Sequence, residues 1–271
     1  MRIERIGDAV LYNGDCLEVM ATLGEVGHVI SDPPYEATLH ASKNSMKGRK
    51  HRNDGVAELK GLDFEPVDAI RSRIVSLSSA ICQGWFIAFC TVEGTYPWAQ
   101  EINASAMKYK RACIWVKPDS TPQLNGQGPA QGAECFVAAW NGKGHARWNS
   151  GGKRGVYTHC INVGRDGRHP TEKPIPLMRE LLQDFTNPGQ AILDPFMGSG
   201  TTGVACAKMG RKFIGIEMDP KYFDVACERI AKAYSQGDMF LEPPKKVKPL
   251  DMFASPVGDN DNLPVAQAGA A

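Results

Sequence analysis

The sequence lacks several features that would assign it to other classes of protein. None of its eight cysteines belongs to a C-x-x-C pair, so we expect no metal site. It has no apolar run long enough to span a membrane and no evident signal peptide, so we expect a protein of the reducing cytoplasm without a membrane partner. Its net charge of only +1, from 31 basic and 30 acidic residues, excludes a globally basic surface.

The order of apolar segments indicates an α/β fold. At 271 residues the chain is long enough for one sizeable core, and strand patterns alternate with helical ones. The predicted strands lie near residues 9–13, 27–31, 84–90, 111–117, 133–140, 190–194 and 213–217. The predicted helices lie near residues 15–23, 66–82, 95–107, 173–186, 200–209 and 219–234, with Asp15 and Asp219-Pro220 as helix starts. The predicted loops are 36–62 and 118–131, and the predicted mobile tail is 243–271.

The tetrapeptide Asp32-Pro33-Pro34-Tyr35 is the most informative motif, and it follows a short apolar run. The exocyclic amine of adenine or cytosine is a poor nucleophile because its lone pair is conjugated into the ring. The Asp32 carboxylate and the Pro33 carbonyl could each accept one N–H of such an amine, while the prolines fix the direction of the backbone. The Tyr35 ring could stack on a base that has left its duplex. A plain polar turn has the same composition, so this motif alone leaves both interpretations open.

A second motif, at residues 191–203, is typical of a strand that runs into a glycine-rich turn and then a helix. Glycines let the backbone approach a ligand, and free N–H groups at a helix start suit an anionic group. The next predicted strand ends at Glu217, where an acidic side chain usually grips ribose hydroxyls. The glycines also fit the dinucleotide pattern G-x-G-x-x-G, so a nicotinamide oxidoreductase stays open on this motif alone. That alternative accounts for neither the tetrapeptide nor Asp194-Pro195-Phe196 ahead of the glycines.

Together these segments resemble the DNA amino-methyltransferases that use S-adenosylmethionine. The resemblance is carried by the tetrapeptide, by Asp-Pro-Phe-x-Gly-x-Gly-Thr-Thr at 194–202, by Leu-Tyr-Asn-Gly-Asp-Cys at 11–16 and by His-Pro-Thr-Glu-Lys-Pro at 169–174. The catalytic motif precedes the cofactor motif, as in the permuted beta group of that family. The resemblance therefore implies a Rossmann-like methyltransferase sheet with helices on both faces, a circularly permuted motif order and a small DNA-recognition insertion. The segment 9–13 is expected to complete a sheet whose cofactor half comes mostly from the C-terminal part.

The resemblance also implies which residues act in a catalytic domain of residues 1–242. Asp32, Pro33, Pro34 and Tyr35 would hold the target base, without a metal or a covalent intermediate. The residues expected to bind S-adenosylmethionine are Glu217 at the ribose, Asp15 and Cys16 at the adenine, Asp32, Asp194 and Phe196 beside the sulfonium, and Thr171, Lys173, Gly198, Ser199, Gly200, Thr201 and Thr202 around the methionine end.

Local clusters of positive charge are the candidate contacts with double-stranded DNA. The loop 43–52 has five basic residues and no acid, and residues 141–168, the expected recognition insertion, have six basic residues against one Asp. Trp148, Tyr157 and His159 lie between those charges, where they could stack on bases. Solvated loops would have the same composition. The predicted DNA contacts are Lys43, Lys47, Arg49, Lys50, Arg52, Arg147, Lys153, Arg154 and Arg165.

The identity of the target base follows from the resemblance. In the family, Asp before Pro-Pro-Tyr is commoner among adenine N6 enzymes and Ser among cytosine N4 enzymes, so we expect methylation of adenine N6 in duplex DNA. Cytosine N4 methylation, RNA methylation and an inactive DNA-binding relative stay open as alternatives. The resemblance to the permuted group implies a homodimer. No nuclease signature is present, so the sequence does not identify a restriction endonuclease partner.

Overall fold

A computed structural model describes residues 1–34, 67–120, 128–161 and 172–236 of this protein. They form one nine-stranded sheet with helices on both faces, which confirms the predicted α/β fold. The strands are β1 (Arg2–Ile6), β2 (Ala9–Asn13), β3 (His28–Ser31), β4 (Trp85–Cys90), β5 (Lys108–Val116), β6 (Ala133–Trp140), β7 (Val156–Thr158), β8 (Ala191–Asp194) and β9 (Lys212–Glu217). The helices are α1 (Cys16–Met20), α2 (Arg71–Ile81), α3 (Thr95–Asn103), α4 (Ile175–Phe185), α5 (Thr201–Lys208) and α6 (Pro220–Ser235), and a short 3-10 helix spans Val67–Ala69.

The centre of the sheet is a run of parallel strands. The strand order is β1-β2-β9-β8-β3-β4-β6-β5-β7, and β2, β9, β8, β3 and β4 are parallel to their neighbours in that run. Leu11 of β2 lies opposite Gly215 of β9, so the segment 9–13 completes the sheet as expected. The five parallel strands end at one edge, which we call the carboxyl edge, and begin at the opposite, amino edge. In open parallel sheets ligands bind at the carboxyl edge.

Two hydrophobic cores fix the sheet between its helices. Helices α4, α5 and α6 cover one face, and α1, α2 and α3 cover the other. Leu181 and Phe223 are fully buried on the first face, and Trp98 is fully buried on the second. Burial of one such side chain contributes about 1.5–3 kcal/mol, so both faces hold the strand ends rigidly in place. Among the residues described, no helix is long and apolar enough to cross a membrane.

The helix starts follow the capping chemistry that the sequence predicts. The Asp15 carboxylate accepts hydrogen bonds from the backbone N–H groups of Leu17 and Glu18, at 2.8 and 3.0 Å, and Asp219 caps α6 through the N–H of Lys221. Helix α1 ends at Met20 rather than near residue 23, because the chain leaves the helical conformation for the turn before β3.

Two edge strands were not predicted from the sequence. Strand β1 has only five residues, Arg-Ile-Glu-Arg-Ile, whose charged and apolar side chains do not alternate strictly and are mostly exposed. Strand β7 has three residues and follows a glycine-rich stretch, so no period-2 pattern can develop in it. Both form because a neighbouring strand offers unpaired backbone groups, which is a tertiary effect that local patterns do not record.

The segment 141–161 packs on the sheet rather than standing away from it. The Trp85 indole N–H donates to the Arg147 carbonyl at 2.6 Å, and the Trp148 ring packs edge-on against Phe185 with 4.9 Å between ring centroids. Tyr157 is fully buried, and its hydroxyl donates to Asp184 at 2.9 Å. The prediction that Tyr157 is available for base stacking is therefore wrong, because its ring is part of the core.

Candidate active site

The Asp-Pro-Pro motif begins directly after β3, at the carboxyl edge. Asp32 Oδ2 accepts a hydrogen bond from Lys173 Nζ at 2.6 Å. The other carboxylate oxygen, Oδ1, is buried and has no hydrogen-bond partner among the residues described. Burial raises the pKa of the Asp32 carboxyl above its usual range, although the Lys173 ammonium opposes the shift. A buried acceptor without a donor is costly for a fold, and such an atom marks a place where a ligand can supply the donor.

Lys173 lies beside the Asp-Pro-Pro motif. Its ammonium lies between two carboxylates, Asp32 at 2.6 Å and Glu134 Oε2 at 3.3 Å, and over the Phe89 ring at 5.0 Å from the centroid. Burial alone would lower the pKa of Lys173, but Asp32 and Glu134 raise it above its ordinary value. Lys173 is thus a charged partner of the catalytic motif, and its side chain is not directed at the expected methionine subsite alone.

Both carboxylate oxygens of Asp194 accept hydrogen bonds from other residues of the protein. Its Oδ1 accepts from the Ser31 hydroxyl at 2.8 Å and from the Phe196 N–H at 3.2 Å, and its Oδ2 accepts from the Thr202 hydroxyl at 2.7 Å. Burial raises the pKa of Asp194 to about 6, while the hydrogen bonds from Thr202 and Ser31 lower it. These contacts join the ends of β3 and β8 to the first turn of α5, so Asp194 holds the catalytic motif and the glycine-rich turn together.

The glycine-rich turn has one closed side and one open side. Gly200 has φ +82°, and a Cβ there would meet the Ala226 side chain at 2.9 Å, so helix α6 packs directly against the turn. Gly198 has φ +50°, and no atom of the described residues lies within 4 Å of the position that a Cβ would take. Ser199 is held from behind by Arg229, whose guanidinium donates to the Ser199 carbonyl at 2.7 Å. The open backbone at Gly198 therefore forms a cradle that a Cβ would fill.

Glu217 ends β9 beside this cradle. Its Oε2 accepts from the Gly198 N–H at 3.0 Å, and its Oε1 accepts from the Asp219 N–H at 2.8 Å. Burial raises the pKa of Glu217 above its usual value. Each carboxylate oxygen can accept a second hydrogen bond, so two vicinal hydroxyls can still bind there. Asp15 and Cys16 begin α1 at the end of the neighbouring strand β2, so an edge-bound nucleoside would lie between them and Glu217.

The remaining predicted residues fall into two groups. The first group is buried around the turn and orders it, and consists of Ser199, Thr201 and Thr202. The second group lies outside the residues that the structure describes, as do the predicted loop 36–62 and tail 243–271; its members are Tyr35, Lys43, Lys47, Arg49, Lys50, Arg52, Arg165 and Thr171.

The three predicted DNA contacts in the segment 141–161 differ in their location on the sheet, their ion pairs and their exposure. The Arg147 carbonyl accepts a hydrogen bond from Trp85, the first residue of β4, so it is anchored at the amino edge. The six residues of β4, at about 3.3 Å each, separate this edge from the carboxyl edge by about 20 Å. Lys153 forms ion pairs with Glu180, at 2.7 Å, and with Asp184. Arg154 is exposed in the turn before β7. Of these three side chains, only that of Arg154 is both exposed and away from the amino edge.

Glu134 and Lys117 are the charged residues of this site that sequence reasoning missed. Glu134 is near the start of β6, and Lys117 directly follows β5. Neither belongs to a motif, and they reach the carboxyl edge only because β5 and β6 pair antiparallel there, with Val116 opposite Ala133. The sequence signal that could have found them is the presence of single charges at the ends of otherwise apolar strands.

Comparisons with known proteins agree with this geometry. The family of N6/N4 enzymes described as DNA methylase matches residues 26–228. The type II methyltransferase M2.LlaDCHI of Lactococcus lactis subsp. cremoris is 25% identical over 248 residues, which cover 85% of this chain and 92% of that protein. The solved M1.HpyAVI–SAM complex is 26% identical with a TM-score of 0.63, over 81% of this chain and 98% of that one.

A more distant solved structure has the same fold. The PvuII DNA methyltransferase, which is cytosine-N4-specific, is 15% identical with a TM-score of 0.64, over 85% of this chain and 93% of that one. The family match spans well over half of the chain and includes the strand that leads into Asp32, the glycine-rich turn and Glu217. The oxidoreductase alternative is thereby set aside. The chain belongs to the N6/N4 DNA methylase family, and its methyl donor is S-adenosylmethionine.

Proposed function

We propose that this DNA methyltransferase methylates the exocyclic N6 of adenine in duplex DNA. The observation that supports this most strongly is Asp32 Oδ1, a buried acceptor without a partner among the residues described. An amine N–H is a donor that such an oxygen can accept. The Asp, rather than Ser, ahead of Pro-Pro favours adenine over cytosine. Cytosine N4 is the second candidate, since the PvuII enzyme that shares this fold is specific for it.

In the proposed mechanism, the protein orients a weak nucleophile. The target base leaves the duplex at a cost of a few kcal/mol, which contacts in the pocket must offset. Asp32 Oδ1 and the Pro33 carbonyl each accept one N–H of the amine, which turns the nitrogen lone pair toward the electrophile. Pro34 lacks a backbone N–H that could compete for these acceptors, and Tyr35 is proposed to stack on the base. Bound S-adenosylmethionine would supply the electrophilic methyl group and retain the sulfur as a neutral thioether when the bond between sulfur and methyl breaks. The methylated nitrogen then loses one proton, for which Asp32 is the nearest proposed acceptor.

Charge at the site supports direct transfer to a neutral amine. Positive charge develops on the amine nitrogen during the attack, and a fixed carboxylate beside that nitrogen stabilises it. The Lys173 ammonium lowers the pKa of Asp32 against the effect of burial. Lys173 therefore favours the ionised form of Asp32, which can accept a hydrogen bond and oppose the developing charge.

The cofactor is proposed to lie along the carboxyl edge, from α1 to the glycine-rich turn. Glu217 would bind the ribose hydroxyls, and Asp15 with the backbone of Cys16 would bind the adenine. The open backbone of Gly198 would face the cofactor directly. Asp194 and the turn hydroxyls would act indirectly, since they hold the turn in place.

DNA is proposed to approach from the same edge. The loop 43–52 begins eight residues after Tyr35 in the sequence and has five basic residues without an acid. Arg154 and Arg165 are proposed to add contacts. Arg147 and Lys153 are weaker candidates, because the first is anchored at the amino edge and the second is paired with two carboxylates.

The first prediction concerns the cofactor cradle. Gly198→Ala should weaken S-adenosylmethionine binding by at least about tenfold, or 1.4 kcal/mol, because the added methyl group occupies the open side of the turn. Gly189→Ala is the matched control, since Gly189 has φ +80°, equally open surroundings and a position at the amino edge. Calorimetry of both variants measures the effect. Equal affinities would show that the cofactor does not contact Gly198.

The second prediction concerns catalysis and the target base. Asp32→Asn should lower the single-turnover methylation rate by about 10²–10³, while cofactor affinity stays within about twofold of wild type. Asp8→Asn, an exposed carboxylate near the amino edge, serves as the control. Mass spectrometry of nucleosides from methylated DNA should find N6-methyladenine. A product containing only N4-methylcytosine would refute the adenine assignment, and wild-type turnover in Asp32→Asn would refute the mechanism.

The third prediction concerns phosphate contacts. The double variant Lys47→Ala with Arg49→Ala should weaken binding to all DNA sequences alike and reduce the slope of log affinity against log salt by about one unit per lost contact. Lys208→Ala with Lys212→Ala removes the same charge near the amino edge and should leave the slope unchanged. Identical slopes for the two double variants would mean that the loop is merely solvated.

The fourth prediction concerns assembly as a homodimer, which the resemblance to the permuted group implies. Val156 and Ile114 are neighbours across β7 and β5 and are 47% and 40% exposed, which is unusual for a pair of large apolar side chains at a sheet edge. We expect light scattering to report a dimer that Val156→Lys weakens. Ile3→Lys, on the opposite edge strand β1, is the control. A monomer at concentrations where DNA is methylated would contradict the proposal.

A further inference from the structure

Four charged side chains of alternating sign form a continuous row at the carboxyl edge. Lys117 pairs with Glu134 Oε1, Glu134 Oε2 lies 3.3 Å from Lys173 Nζ, and Lys173 Nζ donates to Asp32 Oδ2 at 2.6 Å. We call this row the charge chain. Its side chains are 10%, 14%, 5% and 27% exposed, in that order, so solvent screens the interactions only weakly.

The charge chain is assembled from four separate parts of the sequence. Lys117 follows β5 and Glu134 lies in β6, and the backbone hydrogen bond from the Lys117 N–H to the Gly132 carbonyl, at 2.8 Å, fixes the two strands together there. Lys173 immediately precedes the start of α4, and Asp32 follows β3. The charge chain therefore connects the catalytic motif to the far half of the sheet.

A row of buried charges needs a reason, because stability alone does not favour it. Removing charges from water costs several kcal/mol each, and the attraction between them often does no more than offset that cost. Apolar residues at positions 117 and 134 would complete the strand ends at no such cost. The charge chain ends on Asp32, whose Oδ1 is buried without a hydrogen-bond partner among the residues described, so the row leads to the carboxylate of the Asp-Pro-Pro motif.

We infer that Glu134 and Lys117 are positioning residues for methyl transfer, which act on Asp32 through Lys173. Lys117 orients Glu134, Glu134 is a second carboxylate that holds the ammonium of Lys173, and Lys173 in turn occupies Oδ2. Oδ1 is then the oxygen of Asp32 that has both lone pairs open to the target amine. This inference rests on the proposed role of Asp32 as the acceptor of that amine.

The same geometry makes the charge chain an electrostatic control on Asp32. Among the groups that face Asp32, Lys173 and Lys117 lower its pKa, and Glu134 raises it. Asp194 of β8 is a further carboxylate close enough to interact with Asp32 electrostatically. Loss of the positive charge at Lys173 must make Asp32 harder to ionise, and loss of the negative charge at Glu134 must make it easier to ionise. The two substitutions should therefore move the ionisation of Asp32 in opposite directions.

The test is the single-turnover rate of methylation as a function of pH, with saturating S-adenosylmethionine. The rate should rise with pH as Asp32 ionises, and we call this rise the acidic limb of the profile. The acidic limb should move to higher pH in Lys173→Met and to lower pH in Glu134→Gln. The plateau rate should fall at least about tenfold in both, because Asp32 loses its fixed orientation. Glu25→Gln and Lys212→Met remove the same charges at exposed positions away from the carboxyl edge, and should reproduce the wild-type profile.

A charge-preserving variant distinguishes an effect on Asp32 from a general loss of folding. Glu134→Asp keeps the negative charge but withdraws it by one methylene, so it should lower the plateau rate and leave the acidic limb in place. If Glu134 had a purely structural role, Glu134→Gln would change the midpoint of unfolding in urea but would not move the acidic limb of the pH–rate profile. Limbs that move in the same direction in Glu134→Gln and Lys173→Met, or a Glu134→Gln profile identical to wild type, would overturn the inference.

The outcome can be separated from that of the proposed function. Total methyl transfer is counted whichever base receives it, so an error in the base assignment does not affect the result. Asp32→Asn at wild-type rate would refute the proposed role of Asp32 itself. An inactive Asp32→Asn together with an unshifted Glu134→Gln would refute the charge chain alone.

Discussion

The ion pair between Asp32 and Lys173 is the contact on which the rest of the site depends. It joins residues 141 positions apart in the chain, one at the end of β3 and the other at the start of α4. Both side chains are withdrawn from solvent, so removing either partner would leave a poorly solvated charge. The pair occupies Oδ2 and leaves Oδ1 without a partner among the residues described. One contact thus fixes the position of the carboxylate that we propose to hold the target amine.

The parallel sheet explains how a permuted motif order yields one site. Strands β3 and β8 are separated in the chain by β4, β5, β6 and β7, yet they are parallel neighbours in the sheet and end at the same edge. The catalytic motif after β3 and the glycine-rich turn after β8 are therefore neighbours, and Asp194 joins them through Ser31 and Thr202. The chemistry depends on which strand ends are adjacent, and not on which motif comes first in the chain.

Much of the fold could be predicted from the sequence, because its buried strands and amphipathic helices have strong local patterns. The edge strands β1 and β7 could not, since their pairing comes from neighbours rather than from their own composition. Motifs with a physical mechanism, such as the caps at Asp15 and Asp219, were predicted correctly. Side-chain partners across the fold were harder to predict: the sequence did not identify Asp32 and Glu134 as the carboxylates beside Lys173, and the prediction that Tyr157 stacks on a base was wrong. Burial and long-range pairing decide those roles, and neither is visible in a local pattern.

The central claim is that Asp32 accepts the target amine through Oδ1 while Lys173 holds Oδ2. A crystal structure of the enzyme with duplex DNA and a non-reactive analogue of the cofactor would test it most directly. The account predicts adenine N6 within hydrogen-bond distance of Oδ1, about 2.7–3.2 Å, with Lys173 still on Oδ2 and Glu134 behind it. A flipped base held by other acceptors, or a Lys173 that has left Asp32 for the cofactor, would contradict it.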